Sequence, residues 1–481
     1  MQRTKVATSL QTLTKLLSQA QNTRYGRHLG FSKILTKKDT YSTFCRQVPV
    51  TDYESLLDWL SLDKKTLKQS DLRPLVNEMW PGRIDVFSLT SGTTSGRTKY
   101  IPYSKMMMAA NYRAALDLFA HILSYDPNLA PPWRRTLYMS GSTLLKRNEQ
   151  GILCGDLSAL ARFLTPRLWQ WVALPPQHIA SMEPWSKRLE ALAKLCIQHP
   201  EIGILSGVPV WQLSLLEAVQ RLSNKPLADV MPNLRVIIHG GMSVEPYRDK
   251  LKELADENTL FIDIYASSEA GVTAFQLPGS QGMHFFEHYG SFYEFEDEHG
   301  NITTSCDLVP GKIYNLIISC CSGLWRYRIG DQVVFHSVRP LVLDYVSRSQ
   351  TMSAFDEKIT EKQLEIVMSA SQPYIRDFSV GPLISQKRHI YFLVTDYPLT
   401  KTWLIKLDNH LRKINQDYDD YRSDGRINLP GMVRVHRSSF LKQIGRSEGG
   451  QNKVPRLLSP KEVETLLSIY EIDKGDKLTT L

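Results

Sequence analysis

The stretch TSGTTSGRTKYIP at residues 90–102 follows a short apolar run, DVFSL at 85–89, and precedes a helix-like run, MMMAANYRAALDLFAHIL at 106–123. A hydroxyl- and glycine-rich loop in that setting can wrap a polyphosphate. Gly92 and Gly96 let backbone N–H groups turn inward, Ser91, Thr93, Thr94, Ser95 and Thr98 supply hydroxyls, and Lys99 supplies a point charge. Clusters of Ser, Thr and Gly are also ordinary turn material, so the rest of the chain has to decide. The loop is not a Walker phosphate loop, because three rather than four residues separate its glycines and no lysine directly follows the second. Nor does a Gly-x-Gly-x-x-Gly fingerprint close the turn, which removes the main support for a dinucleotide site.

Three later segments supply the other parts of a nucleotide site. LRVIIHGGMS at 234–243 reads as a buried strand ending in His239, Gly240 and Gly241, where bare backbone would approach a flat base. TLFIDIYASSEAG at 259–271 reads as a strand delivering Tyr265, Ala266, Ser267, Ser268 and Glu269 to a loop. A carboxylate beside phosphate-binding hydroxyls suits Mg2+, which makes Glu269 the candidate metal ligand. SGLWRYRIGDQVVF at 322–335 reads as a hairpin in which Arg326, Arg328 and Asp331 follow a turn at Ser322 and Gly323. Asp331 is placed to accept both hydroxyls of a ribose. Taken singly, each segment is also explained as a turn, an exposed loop acid or a half-buried strand; it is their joint occurrence in this order, with Lys99, that favours a nucleotide.

The patterning implies an α/β fold. Strand-like DVFSL, LYMSG, IGILSG, RVIIHGG and LFIDIYA alternate with helix-like stretches through residue 260, as in βα units with parallel sheets. Beyond residue 284 hairpins dominate: FYEFEDEHGNITT turns at His299, Gly300 and Asn301, and KIYNLIIS pairs with WRYRIGDQVVF, implying a smaller antiparallel subdomain. After LVLDYVSRSQ at 341–350 comes a separate α/β unit containing EKQLEIVMSA, IYFLVTDY, a helix near 404–420, MVRVHR and a final helix, PKEVETLLSIY.

At these residues the chain resembles a known family. Ser91-Gly92-Thr93-Thr94 with an extra residue before Gly96, then Lys99, Ile101 and Pro102, resembles the phosphate loop of the Gretchen Hagen acyl acid amido synthetases. The inserted Ser95 separates them from the acyl-CoA synthetases and luciferases of the wider adenylate-forming superfamily. YASSE at 265–269 and GLWRYRIGD at 323–331 are similar to the family's other nucleotide motifs. NTRYGRHLGF at 22–31, VPVTDYESL at 48–56, GVPVWQLSLLE at 207–217, LDNHLRKINQDYDDYR at 407–422 and QNKVPR at 451–456 extend the likeness over nearly the whole chain.

The resemblance implies a two-step, ATP- and Mg2+-dependent reaction: a small carboxylic acid is adenylated, and the acyl group then passes to an amino acid or other amine. It implies a large N-terminal domain of mixed and parallel sheets with an antiparallel β subdomain, residues 1–346, and a small mobile C-terminal α/β domain, residues 347–481. Lys99, Glu269 and Lys453 would be catalytic, with Lys453 delivered by the C-terminal domain during adenylation only. Arg348 stands where a basic hinge residue is expected, although the glycines expected around this junction are missing. Tyr112, Arg113 and Leu118 would face the acyl group; Leu118 stands where characterised members carry an arginine. An acyl-CoA ligase and an inactive nucleotide-binding protein are the alternatives. Ser95 argues against the first, and retention of Lys99, Glu269, Asp331 and Lys453 against the second.

Length and composition agree with a cytoplasmic enzyme, and a monomer is expected. The 481 residues exceed what one core usually serves, and the net charge, 58 minus 49 or +9, suits anionic substrates without a basic, aromatic-interleaved stretch for nucleic acid. No apolar run is long enough to span a bilayer, so no membrane partner is expected. Residues 1–38 hold no Asp or Glu, as in a transit peptide, yet the family-like opening at residue 22 argues for an amphipathic first helix from about Leu10. The six cysteines, 45, 154, 196, 306, 320 and 321, form no Cys-x-x-Cys pair and read as reduced thiols. His284 and His288 lie four apart in a strand-like run, about 13 Å along a strand, too far to chelate one ion.

Overall fold

The computed structural model describes the chain from residue 2 to residue 470, apart from 64–66, 92–97, 130–134, 141–144, 146, 165–169, 183–184, 242–243, 245–246, 349–350, 371–374, 376, 396–397, 399, 437–439, 441–442 and 444–454. Gly92, Thr93, Thr94, Ser95, Gly96 and Lys453 lie outside the described residues.

A twelve-stranded sheet organises the molecule. From one edge to the other its strands are Ile302–Thr303, Ser291–Glu296, Ile313–Cys320, Tyr327–Val338, Leu341–Arg348, Met283–Phe285, Gly271–Gln276, Leu260–Ser267, Val236–Gly240, Ile202–Gly207, Arg135–Tyr138 and Ala173–Leu174. The last five are parallel to one another, and the rest are antiparallel. Residue patterns explain the division. Val236, Ile237 and Ile238 are consecutive and all buried, as in a strand covered on both faces, whereas Tyr327–Val338 alternates buried and accessible positions over most of its length. The antiparallel part is the β subdomain expected within the large N-terminal part. It is continuous with the parallel part, because Leu260–Ser267 pairs with Val236–Gly240 on one side and folds back onto Gly271–Gln276 on the other.

The run DVFSL leaves this sheet. Val86–Ser91 pairs antiparallel with Thr98–Pro102 and parallel with Leu153–Asp156 in a three-stranded sheet, so residues 92–97 connect two paired strands. Thr98–Pro102, expected as the exit of a loop, is a strand. Its β-branched and aromatic residues, Thr98, Tyr100 and Ile101, suit a strand. Helix Lys105–Tyr125 follows directly.

Helix Gln2–Ala20 begins earlier than expected and buries Leu13, Leu16, Leu17 and Ala20, one stripe at helical spacing. The segment after it is tied to the sheet by Arg326. This buried guanidinium donates to both carboxylate oxygens of Glu294 at 2.9 Å, and to the carbonyls of Cys45 and Val48 at 3.1 and 3.0 Å. Arg328 pairs likewise with Glu296 at the surface. Both arginines of the LWRYR run are therefore engaged within the fold.

Past Arg348 the strands belong to other sheets. Thr351–Met352 pairs with Ile359–Thr360, and Asp377–Leu383, Arg388–Val394 and Gly431–Arg434 form a three-stranded sheet. Tyr391 and Leu393 face a core with Leu364 of helix Glu361–Ala370 and Leu404 of helix Lys401–Ile414, while Ile390, Phe392 and Val394 pack with Val463 and Leu466 of helix Pro460–Ile469. The helix expected near 404–420 is two, Lys401–Ile414 and Gln416–Ser423. Asn415 breaks it: its side-chain oxygen caps the second helix at Tyr418 N, 2.8 Å away, and its amide donates to Glu357 O. The core around Leu364 and Leu393 is continuous with Trp185, Leu205, Trp211 and Tyr247 from the larger part of the chain.

The buried Arg326–Glu294 pair generates a stability prediction. Replacing Glu294 with Gln strands a buried charge, so unfolding free energy falls by about 3–5 kcal/mol, whereas Glu296→Gln at the accessible pair costs under about 1 kcal/mol. Urea denaturation of the two variants checks it; equal midpoints contradict the assigned role of Arg326.

Candidate active site

The carboxyl ends of the parallel strands are where α/β sheets expose ligand-binding loops. Val236–Gly240 and Leu260–Ser267 end there side by side, with Asp263 opposite His239 and Ile264 opposite Gly240. The turn after Ser267 is built tightly. Ser267 Oγ accepts from Ala270 N at 3.0 Å, and Gly271 takes φ +70. Asn111, from helix Lys105–Tyr125, accepts from Val272 N at 2.9 Å and donates to Tyr103 Oη at 2.7 Å. A Cβ on residue 271 would fall 2.2 Å from Asn111 Oδ1, so glycine is required twice over, by conformation and by space.

This turn meets strand Val86–Ser91. Ser268 Oγ donates to Leu89 O at 3.2 Å, and Glu269 is buried at the same turn, 1% exposed. Lys99 sits opposite Thr90 in the strand pair, and Thr98 opposite Ser91. The Lys99 ammonium lies 5.6 Å from the centre of the Tyr53 ring, whose hydroxyl accepts from Tyr100 N at 2.9 Å. Burial pushes the neighbouring Asp52 carboxyl up, but hydrogen bonds from Ser55 and the charge of Lys99 hold it below the ordinary value. Tyr265 and Asp331, taken from separate motifs, are brought together: the Tyr265 hydroxyl donates to Asp331 Oδ2 at 2.7 Å. Arg348 is registered opposite Asp331 in the adjoining strand. Ala266 lies at a bulge beside them.

The glycine-ended strand differs from its sequence reading in part. A Cβ at Gly240 would lie 2.5 Å from Ile264 O, so the close approach it permits is to the next strand rather than to a base. Gly241, at φ +84, has Val208 at ordinary contact distance and nothing nearer among the described residues. His239 is a core residue, 1% exposed, with Nδ1 2.6 Å from Asp263 Oδ1.

The three acyl candidates do not form one surface. Leu118 packs with Ala114, Ile122, Ile204, Ile238 and Phe275 in the core between helix and sheet. The Tyr112 hydroxyl donates to Leu164 O, and burial pushes its pKa up to about 12. Arg113 belongs to a polar group that the sequence reading missed. There the Tyr289 hydroxyl donates to Asp117 Oδ2 at 2.9 Å, and His288 is pulled down by burial, with Asp117 opposing and Arg113 reinforcing. Arg113 and Asp117 stand one helical turn apart, a spacing visible in the sequence; that they face His288 and Tyr289 is not. A separate cavity of about 550 Å³ lies at the amino ends of the parallel strands, lined by Arg135, Arg162, Trp171 and His199 among others, and none of the expected site residues lines it.

Comparison with known proteins fits this geometry. The GH3 family N-terminal domain matches residues 2–129, and the GH3 family central domain matches residues 280–348. The chain is similar to the GH3 family over these two stretches. Jasmonoyl-L-amino acid synthetase JAR6 of Nicotiana attenuata is 23% identical over 555 residues, covering 95% of this chain and 91% of that protein. Jasmonoyl-L-amino acid synthetase JAR4 of the same plant is 23% identical over 445 residues, covering 76% and 73%. Among solved structures, GH3.15 acyl acid amido synthetase in complex with 2,4-DB superposes with a TM-score of 0.59 at 15% identity, over 96% of this chain and 93% of that one. A 2-hydroxyisobutyryl-CoA ligase gives a TM-score of 0.59 at 14% identity, over 97% and 92%. These structures share the fold.

The turn held by Asn111 is testable by stability alone. Gly271→Ala places a methyl group against Asn111 at positive φ and destabilises by about 1–3 kcal/mol. Gly300→Ala, at φ +81 with nothing within 4 Å, carries the conformational cost only. Chemical denaturation is expected to show the larger loss at residue 271; equal losses contradict the close packing of Asn111.

Proposed function

We propose that this chain is an ATP-dependent acyl-acid amido synthetase. It adenylates a small carboxylic acid, giving an acyl-adenylate and pyrophosphate, and passes the acyl group to an amino acid or other amine with release of AMP. The observation that carries the reading is the hydrogen bond from Ser268 to Leu89, which ties the turn bearing Glu269, just past Tyr265 in its strand, to the strand leading into the hydroxyl-rich run, in a chain that matches two GH3 family domains. The relatives' names pair an acyl group with an L-amino acid, which supports the acceptor.

In the proposed first step a carboxylate oxygen attacks the α-phosphorus of ATP and the bond to pyrophosphate breaks. Lys99, the N–H groups of Gly92 and Gly96, and the hydroxyls of Ser91, Thr93, Thr94, Ser95 and Thr98 hold the phosphates in line. Asp331, with Tyr265 on one of its oxygens, takes the ribose hydroxyls, and Gly241 leaves room for the base. Among the described residues no three His, Cys, Asp or Glu side chains are grouped to hold a metal by themselves. One buried carboxylate, Glu269, with the nucleotide's own phosphates and water is the donor set that suits Mg2+, which would offset phosphate charge there. Lys453 adds a second cation during adenylation. In the second step the amine nitrogen attacks the acyl carbon, loses a proton and displaces AMP. The proposal includes a monomer resident in the cytoplasm, supported by cysteines that are all free of disulfides.

Pyrophosphate exchange across a panel of carboxylic acids, followed by mass spectrometry with mixed amino acids and separately with CoA, tests the reading. An amide is expected with an amino acid and no thioester with CoA; a thioester without an amide makes the chain an acyl-CoA ligase. Lys99→Ala and Glu269→Ala are each expected to lower exchange by about 100- to 1000-fold while the variants stay folded. Near-normal exchange in a folded variant at saturating ATP removes that residue from the site.

A further inference from the structure

The cavity of about 550 Å³ lies at the opposite end of the parallel strands from the candidate active site. Arg135, which opens strand Arg135–Tyr138, is registered with Ile202, while Gly207 at the far end of the neighbouring strand is registered with His239. From Ile202 to Gly207 the strand runs about 17 Å. The cavity has the size of a pocket for a small organic molecule, a class that spans roughly 300–1,000 Å³. One side of it is aromatic and open. Trp171 is 82% exposed, more than any other large apolar side chain among the described residues, and Phe163 is 44% exposed. An uncovered indole and phenyl ring at one cavity offer planar apolar surface that a flat ligand can bury.

The other side is cationic. Arg162 lies near the end of helix Leu157–Phe163, and its Nη2 donates to the carbonyls of Ala173 and Pro175 at 3.3 and 3.0 Å, which holds the guanidinium against the edge strand Ala173–Leu174. Its Nε is shut off from water and has no hydrogen-bond partner among the described residues. Burial draws its pKa below the usual arginine value, with Tyr138 opposing. A partly desolvated guanidinium with no carboxylate beside it is short of an anion. Arg135 differs: its Nε lies 3.1 Å from Glu201 Oε1, an oxygen that also meets His199 Nδ1 at 2.9 Å. Glu201 thus offsets Arg135, and helices Leu157–Phe163 and Trp185–Gln198 both bring carboxyl ends to the cavity. One uncompensated positive charge, on Arg162, remains. That field suits a single negative charge and disfavours a phosphate dianion.

We propose that this cavity is a second ligand site that takes a planar aromatic monocarboxylate, with its carboxylate on Arg162 and its ring against Trp171 and Phe163. The carboxylate supplies the anion that Arg162 lacks, through charge-assisted hydrogen bonds from guanidinium N–H groups not already given to Ala173 and Pro175. No residue lining the cavity is among those expected to touch ATP or the acyl group, so occupancy here does not depend on turnover.

Isothermal titration of the full-length protein with 2-naphthoate, without ATP, tests the site. The uncharged isostere 2-naphthamide and the dianion 2-naphthyl phosphate serve as the comparison probes. Saturable 2-naphthoate binding is expected, weakened at least tenfold in Trp171→Ala and in Arg162→Gln, each confirmed as folded by cooperative thermal melting. The amide and the phosphate are each expected to bind at least tenfold more weakly than the acid. If the acid also enters the active site, the isotherm shows two sites and only one of them responds to Trp171→Ala. Hydrogen exchange at saturating 2-naphthoate is expected to show protection in Leu157–Phe163 and in 170–177, and it locates the ligand even where Arg162→Gln fails to fold. Unchanged affinity in Trp171→Ala, an amide that binds as tightly as the acid at this site, or protection absent from both segments overturns the proposal, and tighter binding of the phosphate overturns the choice of a carboxylate. None of these measurements uses ATP, so failure of the synthetase reading would leave their outcome unaltered.

Discussion

Helix Lys105–Tyr125 is the clamp on which the candidate site depends. Its capping Ser104 accepts from Met107 N and donates to Cys321 O at 2.6 Å, while Ser104 N donates to Ser322 Oγ at 3.1 Å. Two turns on, Asn111 fastens the same helix to the turn at Gly271. Three distant pieces of chain, the loop strands, the 267–271 turn and the 320–323 hairpin turn, are thereby held to one rigid rod. A buried polar contact that loses its partner costs more than the bond itself is worth, so these few hydrogen bonds set the geometry of the whole corner.

The second constraint is the change of strand direction within one sheet. Parallel strands need crossover helices and bring their carboxyl ends to one edge, while antiparallel strands can follow through tight turns. Leu260–Ser267 takes part in both patterns, and its far end is where Tyr265, Ser268 and Glu269 emerge. Placing polar and acidic groups at this seam lets the antiparallel half supply Asp331 to the same place. Arg326 and Glu294 then brace that half against the N-terminal segment.

Much of the fold was legible because its signals are local. Unbroken runs such as RVII mark strands covered on both faces, and alternation in YRIGDQVVF marks one covered on a single face. The pairing of Tyr265 with Asp331 was legible only as two motifs, since nothing local states that residues 66 positions apart share a hydrogen bond. Errors came from tertiary choices. Thr98–Pro102 became a strand because Val86–Ser91 was there to pair with it, and Leu118, an expected substrate contact, proved to be core because its helix turns that face to the sheet. Gly240 was read as room for a base, when its space is taken by Ile264 of the adjoining strand. Asn111, Asp117 and His288 carried no motif at all; their roles follow from which faces the folded chain brings together.

Activation of a carboxylate by adenylation is the central proposed step, and the fate of its oxygen decides it most directly. Incubating the enzyme with ATP, an amino acid and an accepted carboxylic acid labelled with 18O in both carboxyl oxygens, then weighing the nucleotide and phosphate products by mass spectrometry, follows that atom. One labelled oxygen in AMP is predicted, with the other retained in the amide. Label appearing in inorganic phosphate alongside ADP would contradict the account, because the acid would then have been activated as an acyl phosphate.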